Sequence, residues 1–180
     1  MLIGVVYVGD VPEKLVEKAL NLASSAHNFF HFKTLFRATP TPKGYDPVRR
    51  QYLGDVILEQ LRRLTPPEGV DKVLGITCLD LYVRGLNFIF GIADVGGKCA
   101  VVSIYRLKPE LYGLPPNPRL LTERLAKEIT HELGHTLGLS HCKNPTCVMR
   151  FSNSVFEVDV KNIKFCAECL KKLRKTLGNA

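Results

Sequence analysis

The sequence predicts an α/β protein, α+β in some schemes, built on a mixed, partly antiparallel five-stranded sheet with helices. Three observations support this prediction. Short apolar runs of strand length alternate with amphipathic stretches of helical period, a "VGG" turn at 95–97 follows one apolar run, and 46% of the 180 residues are hydrophobic. That hydrophobic fraction is typical of a globular chain and argues against disorder.

The predicted elements follow the order β-α-β-α-β-β-β before the chain turns helical. Apolar and aromatic runs predict strands at 2–9, 29–39, 71–82, 87–94 and 99–107. Apolar residues at helical spacing predict helices at 12–27 and 49–64. Proline-rich stretches predict loops at 40–47, 65–69 and 109–118. The first half of this order is typical of crossover connections, whereas the "VGG" turn favours an antiparallel hairpin.

A long amphipathic helix is predicted from Thr122, which would serve as its N-cap. Its apolar stripe consists of Leu125, Ile129, Leu133 and Leu137. Gly138 follows directly and is placed to end the helix in the left-handed conformation that glycine adopts readily. A short basic helix at 169–178 closes the sequence. We predict a single domain over 1–180, with 1–138 forming the sheet and helices and 139–180 a small C-terminal subdomain.

Composition limits the classes of protein that the chain can represent. The net charge of +8 raises the expectation of an acidic partner but does not by itself define a binding site. The longest apolar runs have the length of a strand, and the start lacks the pattern of a signal peptide, so we expect a cytoplasmic protein with no membrane span. We expect it to be a monomer. Of the six cysteines, Cys78 and Cys99 stand alone in apolar contexts and are predicted to be core residues.

The stretch "HELGH" places His131 and His135 one helical turn apart on the same face. Both imidazoles can therefore reach a single metal ion, while Glu132 lies beside the position of a metal-bound water. Zinc would bring the pKa of that water toward about 7, and Glu132 would take its proton before attack on a metal-polarised carbonyl. The alternative is a helix whose histidines are solvated or satisfied by their neighbours.

A catalytic zinc needs a third protein ligand and keeps one position open for water. Gly138 lets the chain reverse, so that His141 can return to the metal from the far side. His141 and Cys142 are adjacent, and adjacent side chains of an extended or turning chain diverge. Cys142 is therefore predicted to bind a different ion from His141.

The C-terminal part contains two cysteine pairs with the spacing of zinc knuckles, Cys142-x4-Cys147 and Cys166-x2-Cys169. Four thiolates form a closed tetrahedral site with no position for water, so we predict a structural zinc here and two zinc ions in all. Two disulfides or free thiols are the alternative. Cys166 and Cys169 could also be a redox pair, although the strand and helix context of such a pair is missing.

The run "HELGHTLGLSH" resembles the metzincin motif H-E-x-x-H-x-x-G-x-x-H, and together with "HCKNPTCVM" and "FCAEC" it closely resembles the archaemetzincin family over roughly 119–170. The resemblance implies a zincin-like or metzincin-like fold and a zinc-dependent metallopeptidase with Glu132 as general base. The zinc ligands that it implies are His131, His135 and His141. It also implies that Met149 is the Met-turn residue under the metal, for which ordinary core packing is the alternative. Phe151 occupies a position where some metzincins have tyrosine, so an extra transition-state donor must come from elsewhere or be absent.

The strand predicted before the hairpin is the best candidate for holding substrate. In zincins the edge strand over the cleft binds the peptide as an added antiparallel strand. On this basis we expect substrate to contact Asn87, Phe88, Ile89, Phe90 and Gly91. A plain sheet strand is the alternative. The partner is then a peptide or protein substrate, and cleavage inside the chain and cleavage from its amino terminus both remain open.

A zinc-stabilised binding module without catalysis is the alternative function. It would use the cysteine knuckles and the basic stretches "KNIKF" at 161–165 and "KKLRK" at 171–175 to bind nucleic acid or an acidic protein. Lysine-rich helix ends are more often solvated surfaces, and only Phe156 and Phe165 are available there to stack on bases. Glu132 favours the peptidase, because a binding module has no use for a carboxylate at that position. Nucleic acid is therefore not the expected partner.

Overall fold

The computed structural model describes residues 1–38 and 43–178. Its strands are β1 (Leu2–Val8), β2 (His31–Ala38), β3 (Tyr45–Asp46), β4 (Gln51–Leu53), β5 (Lys72–Thr77), β6 (Leu81–Tyr82), β7 (Gly91–Ala93) and β8 (Cys99–Ser103). Its α-helices are α1 (Glu13–Ala26), α2 (Gly54–Arg62), α3 (Pro118–Thr136), α4 (Val155–Val160) and α5 (Ala167–Leu177). Two 3₁₀ turns, Tyr105–Leu107 and Pro109–Tyr112, precede α3.

The predicted five-stranded mixed sheet is confirmed, and its strands lie in the order β2-β1-β5-β8-β7. β1, β2, β5 and β8 run parallel to one another, as crossover connections require. β7 pairs antiparallel with β8 across the predicted hairpin and forms one edge of the sheet. A second, three-stranded sheet has the order β3-β4-β6.

Side chains of the central sheet alternate between two hydrophobic cores, as the two-residue period of a strand dictates. Val5 and Tyr7 of β1 belong to the larger core, which α1 and α3 complete, whereas Val6 and Val8 belong to a smaller core formed with α2. The larger core also contains residues of the C-terminal part, among them the fully buried Met149. The C-terminal part therefore packs on the same core as the sheet and α3.

The helix predicted at 49–64 is shorter in the structure, because its first residues belong to β4. Tyr52 N–H donates to Asp80 C=O at 2.8 Å, and β4 pairs in parallel with β6. The strand predicted at 71–82 divides accordingly into β5 and β6. Helical periodicity over 49–64 could not reveal a three-residue strand that pairs with β3 just before it and with β6 farther along the sequence.

Two other predicted elements have different ends. The strand predicted at 99–107 ends at Ser103 and continues into a 3₁₀ turn. The loop predicted at 40–47 is described only from residue 43, because residues 40–42, like residue 39 of the preceding predicted strand, lie outside the described residues. α4 was not predicted; its N-cap is Ser154, whose Oγ accepts from Glu157 N–H at 3.4 Å.

Helix α3 begins at Pro118, earlier than predicted. Its N-cap is Asn117, whose Oδ1 accepts from Leu120 N–H at 3.0 Å. The assignment of Thr122 as N-cap was wrong: Thr122 lies inside the helix, where its hydroxyl donates to Pro118 C=O at 2.8 Å. An asparagine cap followed by proline at the first helical position is a strong start signal, and it determines the beginning here. The predicted end is confirmed, since Gly138 has φ +85°.

The carboxyl end of α3 is tied to the hairpin between β7 and β8. Gly96 N–H donates to His135 C=O at 2.9 Å. Lys72 Nζ donates to Thr136 C=O at 2.9 Å and to Gly97 C=O at 2.6 Å. A cation at this end of a helix interacts favourably with the helix dipole. These bonds fix the position of α3 relative to the edge of the sheet.

The two isolated cysteines are free thiols. Cys99 is buried in the smaller core, whereas Cys78 is only half-buried against the larger one, so the core prediction holds fully for Cys99 alone. In the part of the chain that the structure describes, no helix combines the length and the apolar character needed to cross a bilayer.

Candidate active site

Three imidazoles converge at the carboxyl end of α3. His131 and His135 lie one turn apart on the helix, with 3.1 Å between their Nε2 atoms. The turn at Gly138 brings His141 back, and its ring centroid lies 5.4 Å from that of His131 and 4.8 Å from that of His135. One ligand nitrogen from each ring lies within 4.8 Å of the others. The predicted grouping of the three histidines is therefore present.

Hydrogen bonds to main-chain carbonyls select the tautomer of the two helical histidines. His131 Nδ1 lies 2.8 Å from Val148 C=O, and His135 Nδ1 lies 2.7 Å from Leu139 C=O. Because a carbonyl oxygen only accepts, each Nδ1 must donate, which leaves a lone pair on each Nε2. Both lone pairs are available to one cation.

The electrostatic environment keeps the imidazoles neutral. Burial is the largest cause that lowers the pKa of His131, His135 and His141, and the Lys161 ammonium lowers each further. Two acceptor nitrogens 3.1 Å apart repel each other unless a cation lies between them. Nitrogens bound tetrahedrally to zinc at about 2.0–2.1 Å stand roughly 3.3 Å apart. The donor set therefore fits a zinc ion.

Glu132 lies beside the histidines and has no hydrogen-bond partner among the described residues, although its side chain is buried. Burial raises its pKa well above the usual value, Glu128 adds to the rise, and Lys161 opposes it. Gly91 of the edge strand makes room for it: a Cβ at position 91 would lie 2.6 Å from Glu132 Cγ and Oε1. The carboxylate is therefore free to bind a group inside the cleft.

The four C-terminal cysteines form a second, separate group. The Sγ atoms of Cys142 and Cys166 lie 3.7 Å apart, as do those of Cys147 and Cys169. All four lie within 4.8 Å of one another. Sulfurs bound tetrahedrally to zinc at about 2.3 Å stand roughly 3.8 Å apart, so this group also fits zinc. His141 and its neighbour Cys142 belong to different groups, as the sequence predicted.

The thiols differ in acidity. Burial raises the pKa of Cys147 and Cys169. For Cys166 burial also acts to raise the pKa, but hydrogen bonds from the Cys169 N–H and from the neighbouring thiols outweigh it and lower the pKa to about 7. Cys142 Sγ accepts a hydrogen bond from Asn144 N–H at 3.4 Å. Four thiols facing one point, two of them buried, are the arrangement that a structural metal requires.

Met149 is fully buried beneath the histidines. Its sulfur packs on Gly134 of α3, where a Cβ would collide with Met149 Sδ and would lie 3.0 Å from a ring carbon of Phe165. The methionine thus occupies the space left by the glycine inside the "HELGH" sequence. Met149 therefore occupies a core position against α3, and its role as the Met-turn residue stays a prediction.

A cavity of about 410 Å³ lies between the edge of the sheet and α3. All five residues predicted to contact substrate line it, namely Asn87, Phe88, Ile89, Phe90 and Gly91. They are joined there by Glu132 and by all three histidines. The other walls are mostly apolar. A peptide in this cavity would touch the edge of the sheet and the histidines at the same time.

The strand predicted at 87–94 is a strand of the sheet only at 91–93, because several of the earlier main-chain groups are already bonded. Asn87 C=O accepts from Arg49 Nη2 at 3.1 Å and from Gln51 Nε2 at 3.0 Å. Ile89 N–H donates to Leu81 C=O at 2.9 Å. These groups are therefore not available to pair with a peptide.

The available groups are those of Gly91 and Ala93. Phe90 C=O accepts from β8 at 2.8 Å, and Asp94 N–H donates to β8 at 2.9 Å. Hydrogen-bonded positions alternate along an antiparallel strand, so 90, 92 and 94 face β8. Gly91 and Ala93 direct their N–H and C=O groups toward the open edge.

Sequence reasoning missed two charged residues of the site, Glu128 and Lys161. Lys161 Nζ donates to Glu128 Oε1 at 2.7 Å, and both side chains are buried. The position of Glu128, one turn before Glu132, was a signal that could have placed it on the same face. The sequence gives no such signal for Lys161, which reads as part of an exposed basic stretch.

Known proteins share both the sequence and the fold. The model of peptidase family M54 matches residues 14–175. The chain is 50% identical over 133 residues to the archaemetzincin of Thermococcus kodakarensis, covering 74% of this chain and 72% of that one. It is similar to the crystal structure of archaemetzincin from Methanopyrus kandleri, with a TM-score of 0.86, 41% identity, and 99% and 96% of the two chains covered. For the malonate complex of the Archaeoglobus fulgidus archaemetzincin the TM-score is 0.81 and the identity 40%, over 96% and 99% of the chains.

Proposed function

The chain belongs to peptidase family M54, the archaemetzincins, and is a zinc metallopeptidase; from this premise we propose which residues perform the reaction. His131, His135 and His141 hold the catalytic zinc through their Nε2 atoms. The support is their convergence within 4.8 Å and the carbonyl hydrogen bonds that leave the Nε2 lone pairs of the helical pair free. Zinc, when bound there, supplies a Lewis acid that polarises a peptide carbonyl and makes water more acidic.

Glu132 acts as the general base. Its carboxylate takes a proton from the water that attacks the carbonyl carbon of the scissile bond, and returns it to the departing amine nitrogen. The observation that carries this proposal is a buried carboxylate that faces the same cavity as the three histidines and has no partner among the described residues. Burial strengthens its interaction with a proton, since little water competes for it.

The substrate binds as an added strand at β7. Gly91 and Ala93 provide the open N–H and C=O groups, and the residues from Asn87 to Phe90 shape the wall above them. A glycine at position 91 supports this arrangement, because it keeps the strand close to Glu132. The lining of the cavity favours substrates with apolar side chains at some positions.

A second zinc at Cys142, Cys147, Cys166 and Cys169 stabilises the C-terminal part. The tetrahedral spacing of the four sulfurs supports this assignment. Met149 acts as the Met-turn residue, supported by its packing on Gly134 under the histidines. We propose that 1–180 is one catalytic domain in which 139–180 is a subdomain, since the larger core contains residues of both parts.

The binding-module alternative is weakened by Lys161. That lysine begins one of the two basic stretches that would contact nucleic acid, yet its side chain is 0% exposed and paired with Glu128. We further propose that the enzyme acts as a monomer on peptides in the cytoplasm. Six free thiols agree with a reducing compartment, and one chain provides every residue of the site.

The proposed function is tested by digesting a diverse peptide library with zinc-loaded protein and identifying the products by mass spectrometry. We expect cleavage by the wild type and none above background by Glu132→Gln with the same zinc content. A zinc-loaded wild type that cleaves no peptide would contradict the proposal.

A further inference from the structure

The cavity contains a second carboxylate that the proposed mechanism does not use. Glu128 lies one turn before Glu132 on α3, is 3% exposed, and lines the cavity. Its Oε1 accepts from Lys161 Nζ, which also donates to Arg150 C=O at 3.3 Å. The two side chains form a buried pair, and removing either partner would leave a buried group without its partner.

Only one end of this ion pair reaches the cavity. The Lys161 side chain is 0% exposed and does not line the cavity, whereas Glu128 does. Glu128 Oε2 has no hydrogen-bond partner among the described residues and remains able to accept one. Of the two side chains of the pair, only that of Glu128 therefore lines the cavity, and it brings an acceptor oxygen there.

Much of the rest of the cavity wall is apolar. Phe88, Phe90 and Ile92 line the same cavity. Such walls exclude water and accommodate the aliphatic part of a side chain, while a polar group at its tip needs a partner. In this low-dielectric setting a hydrogen bond from a cation to a carboxylate is stronger than a neutral one.

We propose that Glu128 is a specificity-determining residue that binds a cationic nitrogen of the substrate, an ammonium or guanidinium, close to the scissile bond. This inference rests on the proposed function of the cavity as the substrate cleft. The cation has two sources, a lysine or arginine side chain flanking the bond or the free amino group at the start of a short peptide. Either cation would bind to the same Glu128 oxygen, and the test below distinguishes the two sources.

The test measures binding to the zinc-loaded Glu132→Gln protein, so that it does not depend on turnover. The first set of probes consists of peptides with an acetylated amino terminus and one common sequence. Arginine, or its neutral isostere citrulline, replaces one residue at a time along that sequence. The other set compares the same sequence without arginine in its free-amine and acetylated forms. We expect arginine to bind about 10-fold or more tighter than citrulline at one position, or the free amine to exceed the acetylated form similarly.

The added substitution Glu128→Gln keeps the size of the side chain and an acceptor for Lys161 but removes the negative charge. It should abolish the preference. Glu123→Gln is the matched control, since Glu123 lies on the same helix, pairs with Arg119 at 3.1 Å and is outside the cavity lining. If Glu128→Gln does not fold, Glu128→Gln combined with Lys161→Met removes both buried charges and serves in its place.

The inference would be overturned if every charged probe peptide bound as tightly as its neutral counterpart, or if a preference for the charged peptide persisted in Glu128→Gln. A wild type that cleaves these peptides without any preference for charge would do the same and leave the proposed function standing. If arginine peptides bind through Glu128 but the wild type cleaves none of them, the proposed function fails and the assignment of Glu128 stands.

Discussion

The N–H of Cys142 donates a hydrogen bond to the carbonyl oxygen of Met149 at 2.9 Å. Cys142 belongs to the thiol group, its neighbour His141 belongs to the imidazole group, and Met149 packs on Gly134 under the imidazoles. The two candidate metal sites are therefore connected through one short segment of main chain. Disturbing the thiol site should move His141, although no thiol lies in the cleft.

Two zinc ions of unequal lability are expected per chain. The thiol site is closed and partly buried, whereas the imidazole site keeps a position open to water, so a mild chelator should remove the imidazole-bound ion first. Native mass spectrometry before and after chelation measures both steps. A zinc-replete protein with intact thiols that holds a single ion would contradict the assignment of two sites.

Cys166→Ser should destabilise the protein and weaken catalysis indirectly. Loss of one ligand removes metal-binding free energy that contributes to folding, and we expect a loss of at least about 2 kcal/mol, or roughly 4–8 °C in melting temperature. Cys78→Ser is the control, since Cys78 is half-buried outside both ligand groups. The measurement is the thermal denaturation of both variants. A Cys166→Ser protein that melts like the parent would rule out a structural role for the four-cysteine site.

Glu132→Gln should retain zinc and lose turnover. The amide keeps the size of the side chain but cannot accept the proton, so peptide hydrolysis should fall by a factor of about 10² to 10⁴. His141→Ala should instead lower zinc occupancy at the imidazole site. Zinc content and initial rates, measured together for both variants, separate the two roles. Hydrolysis by Glu132→Gln at the wild-type rate would remove the proposed base.

Gly91→Ala should displace the Glu132 side chain. The new Cβ would lie 2.6 Å from Glu132 Oε1 and 2.7 Å from Val101 C=O, so either the carboxylate or the strand must move. Misplacement by about 1 Å costs up to about 10²-fold in rate, and we expect a loss of at least about 10-fold with zinc retained. Ala93→Gly, on the same strand, is the control for an effect on rate that comes from weaker pairing of β7 with β8 and not from displacement of Glu132. Unchanged kcat in Gly91→Ala would show that the contact does not position the base.

The two groups of candidate metal ligands were predictable because their positions follow from local geometry. His131 and His135 need only the helical period, and Gly138 provides a turn that returns His141. The spacing of the cysteines likewise separated Cys142 from its neighbour. In each case the decisive interactions lie within a few residues of sequence or in a repeated spacing.

The remaining features depend on long-range contacts that periodicity does not record. A lysine in a basic stretch such as 161–165 is expected to be exposed, and the burial of Lys161 is explained by its pairing with Glu128. The edge that is open for pairing lies at 91–93, not over the predicted 87–91, in part because Arg49 and Gln51 bind the Asn87 carbonyl. Each of these contacts joins residues more than 30 positions apart.

The bonds from Arg49 to the Leu86 and Asn87 carbonyls, at 2.9 and 3.1 Å, also limit how much of the β7 edge another copy of the chain could pair with. A long, unpaired strand at the edge of a sheet is a template on which copies of a protein aggregate. Here the open stretch is restricted to Gly91 and Ala93, because the main chain before it is capped by side chains and the chain after it turns into the hairpin. The β7 edge therefore leaves room for a short peptide but gives a second copy of the chain only two residues to pair with there.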